Sequence, residues 1–139
     1  MSVQDWMREI ARKDGGRYAP EAFHFLVDSL NSAIRLAGKE HAEGTDRHVT
    51  GRQLLEGLRV RALELFGPLA AQVWRSWGVH STLDWGEMVF RMVEEEKFSR
   101  NEEDTIDDFR DGFDFDEAFV TSYAVRLPRS DDWSSLEGS

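Results

Sequence analysis

The chain contains no cysteine. That absence removes disulfides, thiolate zinc sites, iron–sulfur clusters and a cysteine nucleophile together. No stretch of the sequence approaches the roughly 18 consecutive apolar residues of a spanning helix, so no membrane partner is expected. The opening residues, MSVQDWMREIARKDGG, lack the apolar run of a signal peptide, and a cytoplasmic location is expected by elimination. Also missing are GxSxG, HExxH and a glycine-rich phosphate loop. No cofactor is expected.

Bases are scarce in one place. Residues 94–117 hold twelve acids against Lys97, Arg100 and Arg110, a charge of −9 out of a total of −10 for the 139-residue chain. The rest is nearly neutral. Such a segment repels phosphate backbones and anionic lipid and attracts basic proteins. What is abundant is large apolar side chains: five Trp and nine Phe, too many for a disordered chain. A chain of this length suits one domain with its own core.

The periodicity predicts a mostly α protein, a compact bundle of about five helices, over residues 1–127. Ser2 with Asp5 reads as a capping box ahead of Val3, Trp6, Met7 and Ile10, and Gly15-Gly16 as the stop. Pro20 suits a first helical turn, before the stripe Phe23, Leu26, Val27, Leu30, Ala33, Ile34 and Ala37, which Gly38 closes. Residues 38–49 read as a loop. Thr50 with Gln53 opens a helix through Phe66 whose buried face would be Leu54, Leu55, Leu58, Ala62, Leu65 and Phe66. A short helix after Gly67-Pro68 carries Leu69, Val73, Trp74 and Trp77. Ser81 with Asp84 then caps a helix bearing Trp85, Met88, Val89, Met92 and Val93. Asp104 would cap a brief helix through Phe109. Asp111-Gly112 is a hairpin signal, so 104–119 stays open between a small C-terminal β-hairpin and a helical turn. Residues 128–139 read as a disordered tail.

Residues 68–96 have the spacing of a helix-turn-helix, with Asp111-Gly112 placed to turn a wing. The second helix carries Asp84, Glu87, Glu94, Glu95 and Glu96 against Arg91, the wrong sign for a DNA groove, so nucleic acid is disfavoured as a partner. His41, Asp46 and His48 share a loop but match no metal spacing, and an EF-hand register at Gly112 would put Phe109 and Ala118 where oxygens are needed. No metal is expected. Acid–base chemistry would draw on His48, Glu56 or Asp84, each of which also has a structural role open to it: a loop position, a pair with Arg52 or Arg59, a helix cap. Exposed tryptophans among Trp74, Trp77 and Trp85 would favour a homodimer.

Several strings, RYAPEAFHF (17–25), RHVTGRQLLEGLR (47–59), FGPLA (66–70), WGVHSTLDWGEMVF (77–90), DTIDDF (104–109) and FDFDEAF (113–119), occur in this order. In them the chain resembles an uncharacterised family restricted to Planctomycetes and Verrucomicrobia. The resemblance implies a bacterial cytoplasmic protein and brings no activity or site residues. The expectation from the residues themselves is a protein-interaction adaptor or regulator. Its acidic, Phe-bearing segment 94–119 would bind a basic partner, with Phe109, Phe113 and Phe115 as anchors and Asp111, Asp114 and Asp116 selecting charge. The alternatives are a winged-helix-like nucleic-acid regulator and a small enzyme.

Overall fold

A computed structural model describes residues 3–43, 48–98 and 105–121. Asp46, Asp104, Ser2 and the tail 128–139 lie outside the described residues. Five helices form the body: α1 (Val3–Lys13), α2 (Pro20–Leu36), α3 (Gly51–Phe66), α4 (Ala70–Ser76) and α5 (Thr82–Glu94). A 3-10 turn, Gly67–Leu69, joins α3 to α4, and two short turns follow α5: a 3-10 turn at Ile106–Phe109 and a π-helical turn at Glu117–Thr121. The protein is mostly helical, and no strand occurs among the described residues.

The helix ends follow local chemistry. Pro20 occupies the first turn of α2, where its missing N–H costs nothing. Gly38 takes a left-handed φ of 71°, and the Lys39 amide returns to the Ile34 carbonyl at 2.9 Å, closing α2. At α3 the Thr50 hydroxyl accepts from the Gln53 amide and the Gln53 side chain accepts from the Thr50 amide, a reciprocal cap.

Helices α2 and α3 form the principal pair. Gly57 lets their backbones meet, because a Cβ there would stand 2.7 Å from Ala33 Cβ and 2.8 Å from the Ser29 carbonyl oxygen. Against this pair an aromatic cluster fills the core. Trp74 is fully buried, with ring centroids 5.0 Å from Trp85 and Phe115 and 4.9 Å from Phe119, all near perpendicular. The predicted apolar faces hold at Leu54, Leu55, Leu58, Trp74, Trp85, Met88 and Met92. They fail at Leu65 and Leu69, which are 48% and 56% exposed.

Of the two alternatives left open for 104–119, the hairpin is not seen among the described residues. A two-residue type I′ turn needs left-handed φ at both central residues, and only Asp111 has it, at 53°. Gly112 serves close approach instead. Its amide donates to the Thr82 hydroxyl at 2.9 Å, and a Cβ on it would stand 2.6 Å from Leu55 Cδ1. The chain from Asp111 is therefore pinned to α5 and α3 and continues into helical turns. Among the described residues Asp111-Gly112 does not turn a wing.

Candidate functional site

Segment 105–121 crosses α5 and α3 and reaches the turn at Gly67–Leu69. Phe109 is its fixing point. The ring lies between two helical glycines: a Cβ on Gly86 would be 2.6 Å from Phe109 Cβ, and one on Gly51 3.0 Å from Phe109 Cε2. Burying this ring contributes about 1.5–3 kcal/mol. The buried Thr82 hydroxyl donates to the Phe109 carbonyl at 2.6 Å while accepting from Gly112, so both its functions are used. Farther along, Phe115 and Phe119 seal against Trp74.

This placement corrects the expected role of the phenylalanines. Phe109 and Phe115 are 3% exposed and Phe113 packs partly buried against the core, so these rings hold the segment down and do not face a partner. The carboxylates do face outward. Asp111, Asp114, Asp116 and Glu117 are exposed. Asp116 pairs with Arg75 at 3.2 Å and Asp107 with Arg110 at 3.1 Å. Among the described residues no cation pairs with Asp111, Asp114 or Glu117. Asp114 accepts the Glu117 amide at 2.9 Å and so caps the final turn. That turn carries the exposed Val120, 45% exposed, and packs against the turn at Gly67–Leu69, which carries the exposed Leu69. The acidic run is therefore partly neutralised at Glu94, Glu95, Asp107 and Asp116, and open at Asp111, Asp114 and Glu117.

A second polar grouping joins the start of α2 to α5. The buried Tyr18 hydroxyl lies 2.7 Å from Asp84 Oδ1 and 2.9 Å from Glu87 Oε2. Arg17 bridges the same two acids, Nη2 to Asp84 at 3.1 Å and Nη1 to Glu87 at 2.8 Å, with its guanidinium 5.0 Å from the centre of the Tyr18 ring. Asp84 Oδ2 accepts the amides of His80 and Ser81, at 2.8 and 3.3 Å, which fixes the start of α5. Burial, then the two carboxylates, pushes the Tyr18 phenol well above its ordinary range. Sequence patterns missed this cluster because its members stand 66 and more residues apart.

Two of the candidate acid–base residues have structural partners. Glu56 is held by Arg59 Nε at 3.0 Å and by Arg59 Nη2, and Asp84 serves the cap and Tyr18. The His48 carbonyl accepts from Lys39 Nζ at 2.6 Å. No three metal-ligating side chains converge among the described residues, and no described helix is long and apolar enough to cross a membrane. No described tryptophan is fully exposed: Trp74 and Trp85 are buried, Trp6 and Trp77 half-buried, which removes the sequence argument for a homodimer. No family model, curated protein or solved structure matches the chain.

Proposed function

We propose that this protein is a non-catalytic adaptor that binds a basic polypeptide segment along the edge formed by residues 105–121. The observation that carries the reading is the juxtaposition of Asp111, Asp114 and Glu117, exposed and without a described cation partner, with the exposed Leu69 and Val120. Carboxylates steer and select a partner of opposite sign, and apolar side chains supply the contact area that surface charge alone does not. Phe109, Phe115 and Phe119 support the edge from beneath. Membership of the Planctomycetes and Verrucomicrobia family rests on the motif strings and carries no activity.

The test is fluorescence anisotropy with a labelled peptide alternating lysine or arginine with leucine, at low and high salt. Three rim charges of about 0.2–1 kcal/mol each predict that Asp111→Asn/Asp114→Asn/Glu117→Gln weakens binding about fivefold and flattens the salt dependence. Leu69→Ser/Val120→Ser should weaken it without changing the salt slope. Wild-type affinity in both variants, or equal binding of the same peptide with glutamate for its bases, would end the proposal.

A further inference from the structure

A cleft of about 300 Å³ lies between the α1–α2 turn and the C-terminal half of α5. Its charged lining is Asp14, Glu87 and Glu94 with Arg17 and Arg91, and Asp84 stands behind Arg17. Both guanidiniums are already committed. Arg17 holds Asp84 and Glu87, while Arg91 reaches Asp14 at 2.8 Å and Glu94 at 3.6 Å. Four carboxylates thus face two cations. A phosphate entering the cleft would meet this surplus of negative charge with no uncommitted arginine to receive it. A monocation would reduce the surplus, and Glu94 is free to meet it, being 69% exposed and held only by the long contact to Arg91.

The neighbouring wall shows which cation the chemistry suits. There the chain's own Arg17 lays a planar guanidinium over Tyr18 and bonds two carboxylates at once, which an ammonium cannot match in geometry. Phe90 and Ile106 add apolar wall for a methylene stem. Ile106 also opens the turn from which the acidic edge runs, so a segment lying along residues 107–117 ends beside the cleft.

We infer that the cleft receives an arginine side chain of the basic partner, an assignment that rests on the binding mode proposed above. The probe is N-acetyl-L-arginine amide, titrated into the full chain and followed by amide resonances in two-dimensional NMR. Saturable shifts at residues 14–18, 87–94 and 106 are expected, with the lysine amide binding more weakly. Glu94→Gln, an exposed change, should weaken the arginine amide about threefold. The inference is overturned if no shifts occur, if Glu94→Gln binds like wild type, if the lysine amide binds equally well, or if inorganic phosphate moves the same resonances at lower concentration. The two proposals fail separately: Asp111→Asn/Asp114→Asn/Glu117→Gln should leave arginine-amide binding unchanged while weakening the long peptide.

Discussion

Replacing Gly86 with alanine tests whether Phe109 clamps the acidic edge to the helices. The new methyl would stand 2.6, 2.7 and 2.9 Å from Phe109 Cβ, Cγ and Cδ2. Two of these atoms lie close to the backbone, so the ring cannot rotate away and the segment must shift. Overpacking of this kind costs about 1–3 kcal/mol. Alanine for glycine inside α5 returns up to about 1 kcal/mol of helix propensity. The net expectation is a loss of about 1 kcal/mol. Phe109→Ala should cost about 3–5 kcal/mol by itself. With the ring gone the contacts to Cγ and Cδ2 vanish and only the one to the retained Cβ at 2.6 Å stays, so Gly86→Ala should cost less in that background than in the wild type. The smaller cost is the signature, a coupling of about 1 kcal/mol, which exceeds the error of a double-mutant cycle. Urea unfolding followed by far-ultraviolet circular dichroism measures all four proteins. If Gly86→Ala has the same effect in both backgrounds, the Phe109 ring does not sit in the glycine cradle and the edge is not held as described.

Other expectations follow from the polar cluster and the caps. Tyr18→Phe should lose about 1–2 kcal/mol by thermal melting, since Arg17 still serves both carboxylates. The Tyr18 phenol is raised in the folded state, so its stabilisation is present below the ordinary value of 10.0 and lost as pH rises beyond it. Wild-type stability should therefore fall above that pH, and Tyr18→Phe should lack this limb. Asp84→Ala should cost about 2 kcal/mol and Asp84→Asn about half that, because the amide oxygen still accepts at the helix start; equal losses would show that charge, and not capping, is what Asp84 supplies. Glu56, held below its ordinary range by its hydrogen bond to Arg59, contributes stability above the usual carboxylate range that is lost as pH falls through its folded value. Its side chain is 51% exposed, so Glu56→Gln should change acid unfolding by no more than about 0.5 kcal/mol.

The helices were legible because their signals are local. Pro20, Gly38, Thr50 with Gln53 and Ser81 with Asp84 each act within one turn of the backbone they stop or start. The acidic edge was legible as a charge run but not as a shape. Asp111-Gly112 resembles a hairpin turn within its own neighbourhood, whereas the Gly112 amide is claimed by Thr82, 30 residues away. Phe109 looked like an anchor for a partner because Gly51 and Gly86, which receive it, lie on two other helices. Leu69 and Val120 became an exposed pair only once the turn at Gly67–Leu69 met the turn at Glu117–Thr121. The Tyr18, Asp84 and Glu87 grouping depends on tertiary closure throughout.

Trp74 gives the edge an optical sensor. Its indole N–H is buried without a hydrogen-bond partner, beneath the rings of Phe115 and Phe119. Were a partner to peel residues 113–119 off the body, water would reach that nitrogen and shift the emission to the red. A partner that lies on the edge and leaves it seated would keep the emission blue, so a single fluorescence spectrum separates gripping from prying.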